Sequence, residues 1–478
     1  MNWEVVLPLL LFLLIVFIIG IWANKYVQGT SSFLQEYFLG SRSLGGFVLA
    51  MTMMATYGSA SSFIGGPGVA YNKGLGWVLL SMAQLPAGYF VLMILGKRFA
   101  IMARKYKAIT LNDFLKARYQ STWVGILGAI SIILFIFASM AAQWVGGAWL
   151  IETVTGIPYN IALIIFTFSV LVYVVVGGFR AVALTDAIQG SVMFFGTIIL
   201  LIAVVVAGGG VENLMTELIQ DNPNLVSPFG SAGELTPLYV SSFWILVGVG
   251  VVGLPQVTVR AMSYKNAKAM HQAIIISTIF VGIIMLGMHL IGVFARPIIP
   301  GVEVGDTVMP KVTLEVLPPF LAGIILSVPL AAMMSTIDSL LIMVSSALVK
   351  DIYISYIKPK AGNREIQWVS FAVTTLLGIL VAIFSLSPPE FLITLNLFAF
   401  GGLEATFVWP VVLGLYWRKG NKFGAVSSMV AGMASYILFQ TYAPEFLGMH
   451  TVVMPILISL VVYVMVSLAT TKREVINI

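Results

Sequence analysis

Apolar stretches long enough to cross a lipid bilayer recur along this whole sequence, separated mostly by short charged or Gly/Pro-rich loops. A membrane helix needs about 20 mainly apolar residues. Thirteen such spans are expected, at roughly 4–25, 45–71, 75–103, 122–151, 158–178, 182–208, 238–258, 271–297, 318–349, 367–386, 391–416, 424–443 and 451–470. Several exceed the bilayer thickness, so they must tilt or extend into water. Composition agrees. Hydrophobic residues make up 59% of the chain and charged residues 9%, whereas a soluble domain carries about 25% charged residues. A soluble, disordered or fibrous chain is excluded. There are no cysteines, which rules out disulfides, thiolate metal sites and a cysteine nucleophile.

Charge sets the expected orientation. Glu4 precedes the first apolar run and Lys25 follows it. A cleaved secretory signal has the opposite order, so this run reads as a retained span with its N-terminus outside. Alternating sides from there leaves only Lys73, Arg296 and Lys311 of the 25 basic residues outside. Lys25, Arg42, Arg180, Arg260, Lys472 and Arg473 all fall inside, as the positive-inside rule requires. The net charge of +6 is therefore a topology signal and not a nucleic-acid signal. The longest outside loop, 209–237, holds Glu212, Glu217, Asp221 and Glu234 and no Lys or Arg. It is too small for a separate catalytic domain.

Two spans carry helix-breaking residues at matching positions. The second is interrupted at Gly58–Ser62 and again at Gly65–Gly68; the seventh has Gly248, Gly250, Gly253 and Pro255. Each opens a set of five spans. Five is odd, so the second set enters the membrane inverted. Two inverted units, each opening with a broken helix, mark one transporter architecture with its binding site at the breaks. The expected organisation is a first helix and linker (1–44), a first repeat (45–208), an external loop (209–237), a second repeat (238–416) and two C-terminal helices with a short tail (417–478).

Few side chains offer chemistry. Gly248–Gly253 spells GxGxxG, but inside an apolar span with no preceding strand, so a dinucleotide site is not expected. His271, His289 and His450 are far apart and give no metal motif. Three acids lie within spans: Asp186, Asp338 and Glu404. An acid at this depth is an ion-pathway candidate by default. Asp186 reads as a pathway residue, Asp338 as pathway or structure, and Glu404 as structural. The segment Ala331–Asp338 is the most informative. Ser335 and Thr336 bring two hydroxyls, and the Ala332 carbonyl lies one turn earlier. Hard cations take oxygen ligands, and further carbonyls would come from unwound backbone at 55–58. By itself a Ser-Thr pair is more often helix–helix glue.

With these residues in view, the chain resembles the sodium:solute symporters. The matching motifs are Tyr37–Leu44, Phe63-Ile64-Gly65, Thr185-Asp186-Ala187-Ile188-Gln189, and Gly414-Leu415-Tyr416-Trp417-Arg418-Lys419 leading to Gly424-Ala425, Ser428 and Gly432. Ser61–Gly68, Gly74–Leu80 and Asn396–Ala405 look most like the pantothenate-carrying branch. The resemblance implies an all-α polytopic fold of LeuT-like five-plus-five inverted repeats with about 13 helices. It implies sodium-coupled uptake and no enzymatic step. Its sodium would lie between spans 2 and 9, on the carbonyls of Ala55, Gly58 and Ala332 and the hydroxyls of Ser335 and Thr336. Asp186 falls near the inward sodium exit. Gly58 replaces a bulkier residue of relatives. Asp338 stands where many relatives are small or neutral, which leaves a second cation or a proton open there. By position, solute contacts fall on Ser62, Ser81 and Gln84, with Gln143 and Gln256 further candidates.

Pantothenate, with an amide, two hydroxyls and a carboxylate, suits such Ser and Gln groups. Its carboxylate could face a half-helix N-terminus. Arg260 reads as a cytoplasmic interface anchor rather than a partner for that carboxylate. Proline, sialic acid or another small organic acid are the alternative solutes. A solute sensor would need a signalling domain, for which the tail 471–478 leaves no room. The expected setting is a bacterial inner membrane, with the protein acting as a monomer in the lipid bilayer.

Overall fold

The computed structural model describes residues 2–27 and 44–471, with backbone alone at 20–27, 172–184 and 363. Residues 37–43 of the first family motif, Arg42, Lys472 and Arg473 lie outside the described residues, and the side chains of Lys25 and Arg180 are likewise not described. Among the described residues there is no strand, only helices and a single parallel bridge between Leu44 and Tyr264.

Among the described residues, nine helices are long and apolar enough to cross a membrane, and two bent helix pairs pass the same test jointly. Two shorter apolar stretches, Trp3–Ile19 and Tyr159–Leu171, fall where the first and fifth spans were expected. The order therefore follows the expected spans, but several boundaries move. Span 3 stops at Ile94, and its basic end forms a separate helix, Gly96–Lys105. Span 9 runs on from Pro319–Ser346 through a π-helical end, Ala347–Ile357. The backbone winds Tyr159–Ala207 as one helix of 49 residues, where a break near 179–181 was expected. The Gly177-Gly178 pair at the expected break lowers helix propensity but does not stop the helix.

Both expected helix breaks form. Span 2 bends by 64° between Gly46–Tyr57 and Ser61–Lys73. Gly58 is extended there (φ −70, ψ 106). Span 7 bends by 54° between Pro237–Gly253 and Pro255–Ser263. The restriction that Pro255 places on its predecessor puts Leu254 in the extended region (φ −80, ψ 116). Pro255 then starts the second half, where its missing N–H costs nothing. The second glycine cluster of span 2 does not break the helix. Ser61–Gly65 is a π turn that continues into Gly66–Lys73, with Pro67 tolerated in the first turn. The small residues serve a close crossing instead: a Cβ on Gly292 of span 8 would collide with the Pro67 backbone.

Burial separates core from periphery. The apolar windows of spans 9, 11 and 4 are 83%, 72% and 67% buried, against 33% for spans 6, 10, 12 and 13. The broken spans pack among the first group. At one end of the molecule the acidic loop folds down: Glu234 pairs with Lys73 at 3.2 Å, and Asp221 pairs with Arg296. Two of the three bases assigned to that side are thereby matched. Lys350 pairs with Asp113 at the opposite, basic end.

Candidate cation and substrate site

Helix termini leave their last carbonyls without intrahelical donors. The break in span 2 therefore frees backbone oxygens in the middle of the protein. Span 9 meets them with its hydroxyl pair. Ser335 Oγ lies 3.0 Å from the Ala55 carbonyl and 3.0 Å from that of Ala332. Thr336 Oγ1 lies 3.0 Å from the Gly58 carbonyl and 2.9 Å from that of Ala332. All five oxygens named from the sequence come together. Each hydroxyl has one proton to donate but faces two carbonyls. The cluster holds more acceptors than protons, which suits a hard cation. Gly58 has buried neighbours at its side-chain position, with Met193 Sδ at 3.1 Å from a built Cβ.

Below this cluster, towards the basic end, lies a charged network that corrects one expectation. Arg260 is not an interface anchor: it is 1% exposed. Its Nε donates to the Thr52 carbonyl (3.0 Å) and faces Thr52 Oγ1 (3.1 Å). Its Nη1 donates to the Gln256 carbonyl (2.6 Å), and its Nη2 to Ser339 Oγ (2.7 Å). Asp186 Oδ2 lies 3.5 Å from Nη2 and also accepts from Thr52 Oγ1. Ser339 Oγ in turn donates to the Ser335 carbonyl at 3.1 Å. One arginine thus ties spans 2, 6, 7 and 9 together next to the oxygen cluster. Hydropathy placed it at the end of span 7; the bend carries that end into the interior. Asp338 is buried one turn from Ser335 on the same helix.

A small cavity of about 30 Å³ adjoins the break. It is lined by Tyr57, Ser61 and Ser62 of span 2, Trp77, Leu80, Ser81 and Gln84 of span 3, and Phe243 and Val247 of span 7. His289 of span 8 and Ile393, Asn396, Leu397 and Phe400 of span 11 complete it. Three of the five proposed solute contacts, Ser62, Ser81 and Gln84, are therefore brought together. Ser62 donates across the break to the Tyr57 carbonyl (3.1 Å), and Ser81 donates to the Val78 carbonyl of its own helix (2.8 Å).

Gln143 and Gln256 do not line this cavity. Gln143 Oε1 accepts from the Ala60 amide at 2.8 Å, and its Nε2 donates to the Ser139 carbonyl at 3.1 Å. It caps the second half of the broken helix, satisfying an amide that the break frees. Gln256 contributes its carbonyl to Arg260. Two lining residues were not singled out as contacts. His289 Nδ1 faces the Met285 carbonyl at 2.6 Å, which makes Nδ1 the donor and leaves Nε2 as an acceptor. Asn396 Oδ1 accepts from Ser139 Oγ at 2.5 Å. His289 shows in the sequence only as one polar residue within an apolar stretch, whereas Asn396 opens the motif Asn396–Ala405 that carries the resemblance.

Glu404 is fully buried in span 11, and among the described residues neither carboxyl oxygen has a hydrogen-bond partner. It packs against the broken part of span 7, where a Cβ on Gly250 would collide with it.

Comparison with known proteins fits this geometry. The sodium:solute symporter family profile matches residues 37–432. The chain belongs to the sodium:solute symporter family. The sodium/pantothenate symporter of Escherichia coli is 50% identical over 97% of this chain and 96% of its own length. That of Haemophilus influenzae is 48% identical over the same share of each. The osmoregulated proline transporter OpuE of Bacillus subtilis is 28% identical over 99% of this chain and 96% of its own length. Among solved structures, a substrate-bound, outward-open sodium-coupled sialic acid symporter superposes with a TM-score of 0.80 at 19% identity. It covers 99% of this chain and 98% of that one. Mhp1, a nucleobase-cation-symport-1 family transporter in a closed conformation, gives 0.58 at 15%, covering 91% and 94%. The symporter is thus a multi-pass membrane transporter of LeuT-like fold. Its family couples solute movement to sodium.

Proposed function

We propose that this symporter takes up pantothenate together with sodium by alternating access. The observation that carries the reading is the five-oxygen cluster between broken span 2 and span 9, beside a polar cavity. Sodium, as a co-transported substrate, is held by Ala55, Gly58, Ala332, Ser335 and Thr336. Its charge replaces the strained competition of two hydroxyls for three carbonyls. With the cation bound, span 2 is fixed against span 9, and the polar residues of spans 2 and 3 are held in place for the solute. Ser62, Ser81 and Gln84, joined by Asn396 and His289, hydrogen-bond the amide and hydroxyl groups of pantothenate. A cavity of about 30 Å³ holds one water-sized group, so spans 3, 7 and 11 must part to admit the solute.

Asp186 and Asp338 line the inward sodium path, and Arg260 must release Asp186 for the ion to leave. Spans 2–6 and 7–11 form the two inverted units that rock against each other. The N-terminus lies outside and the C-terminus in the cytoplasm of a bacterial inner membrane, with the monomer as the working unit. Moving one charge inward gains about 2.3 kcal/mol per 100 mV. That supports roughly fifty-fold accumulation before any sodium gradient is added.

The near 50% identity to two sodium/pantothenate symporters favours pantothenate over proline, sialic acid or another carboxylate. Counterflow of labelled pantothenate in proteoliposomes, competed with that panel and run with and without sodium, tests the assignment. Sodium-dependent exchange blocked by pantothenate alone is expected. Exchange blocked by proline or sialic acid instead would replace the substrate.

A further inference from the structure

At the basic end of the molecule, a cavity of about 820 Å³ opens between the end of span 3, the helices Gly96–Lys105 and Leu111–Tyr119, and the end of span 11. Lys97, Arg98, Lys105, Arg118 and Arg418 line it, and among the described residues no Asp or Glu does. Four of these cations are exposed. Arg118 is not: it is only 6% exposed. Its Nε donates to the Gly414 carbonyl at 2.7 Å, and its guanidinium carbon lies 5.3 Å from the Tyr119 ring centre. Among the described residues it has no carboxylate within ion-pair range. A buried guanidinium without a counter-charge is costly, and the rest of its planar fork suits a phosphate. The described residues of this cavity thus set a buried guanidinium among four exposed cations, an arrangement that suits an anion.

The surroundings say which anion. The cavity lies where span 11 ends at Tyr416 and Trp417, aromatic residues of the kind that mark the membrane–water interface. Met93, Ile101 and Tyr416 at its rim are exposed apolar side chains. The Tyr416 ring carries Arg98 at 5.0 Å, and its hydroxyl donates to the Ile94 carbonyl. A soluble anion has no use for an apolar rim; a lipid does. We propose that this cavity binds the phosphodiester headgroup of an anionic phospholipid, with its acyl chains over Met93 and Ile101. The same lipid would brace the inner ends of spans 3 and 11, both of which line the solute cavity.

The test uses the full-length protein extracted in mild detergent and examined by native mass spectrometry, with cardiolipin, phosphatidylcholine and inorganic phosphate as probes. The wild type should retain cardiolipin in preference to phosphatidylcholine. Each cation removed near a membrane surface should weaken retention about five-fold, so K97Q/R98Q/R418Q should lose the lipid. These exposed sites spare the core. R118Q is scored only alongside its melting temperature: it should also lose lipid, and added cardiolipin should stabilise the wild type but not this variant. The proposal is overturned if the triple variant holds cardiolipin as tightly as the wild type does. It is equally overturned if phosphatidylcholine binds as well, or if inorganic phosphate alone gives the full stabilisation, which would make the site one for a free anion.

Discussion

Leu44 and Tyr264 join the two broken helices at the basic end of the molecule. The Leu44 amide donates to the Ser263 carbonyl at 3.2 Å, and the Lys265 amide donates to the Leu44 carbonyl at 3.0 Å. The start of span 2 and the end of span 7 are thus bonded through backbone groups. Opening of this end is expected to break the clasp. Paired strands lie about 4.8 Å apart, within the Cα separation that a disulfide bridges. The chain has no native cysteine, so Leu44→Cys with Tyr264→Cys gives a clean cross-link. Oxidation is expected to stop uptake and reductant to restore it. Uptake that continues with the cross-link formed would show that inward opening leaves the clasp intact.

The oxygen cluster predicts a separable effect. Ser335→Ala or Thr336→Ala removes one oxygen next to the cation. Losing a contact to a charge costs about 1.5–3 kcal/mol, roughly a ten- to hundred-fold rise in the sodium needed for half-maximal uptake. Solute selectivity should change much less. A sodium titration of pantothenate uptake in each variant measures this, and unchanged sodium activation in both would remove the site.

Arg260 and Asp186 form a buried pair. Removing one partner leaves the other charge unmatched, at a cost of about 3–5 kcal/mol. Arg260→Gln and Asp186→Asn should therefore each lower the melting temperature, and the double variant should lose less than their sum. Arg260→Lys should not rescue, because a lysine cannot reach Thr52, Gln256 and Ser339 at once. Thermal melts in detergent for the four proteins test the coupling. Strict additivity would contradict it.

Asp306 offers a pH signature at the other end of the molecule. Burial raises its carboxyl to about 7, against the lowering effect of the Leu392 amide that donates to it at 3.0 Å. Its unfolded value is about 3.9. A raised folded value means the folded state holds this proton more tightly. Its contribution is fully favourable below about pH 4 and is lost as pH rises through about 7. Asp306→Asn should abolish that part of the pH dependence, so its melting temperature should gain on the wild type between about pH 5 and about pH 8. Parallel melting curves across this range would rule the effect out.

The parts of this site that depend on local chemistry were legible in the sequence. Gly58 marked a break because glycine weakens a helix, and Ser335 and Thr336 stood out because two adjacent hydroxyls are conspicuous among apolar residues. Arg260 was not legible. A charge near the end of an apolar run normally marks the interface, and its partners Thr52, Asp186 and Ser339 lie 208, 74 and 79 residues away. The bond Gln143 makes was not legible either: as a polar group beside the site it suited a ligand, and in the structure it caps Ala60 across 83 residues. The second glycine cluster misled in the other direction. Gly65–Gly68 serve close packing against spans 8 and 11 and leave the helix intact. Periodicity and composition report what a residue can do; only tertiary contact decides which use is made of it.

A density map of the protein prepared in sodium, compared with one prepared in choline, most directly tests whether sodium couples spans 2 and 9. The account predicts a peak enclosed by the oxygens of Ala55, Gly58, Ala332, Ser335 and Thr336 in sodium, and its absence in choline. Hydroxyls still bonded to those carbonyls in both maps, from protein that shows sodium-driven uptake, would contradict it.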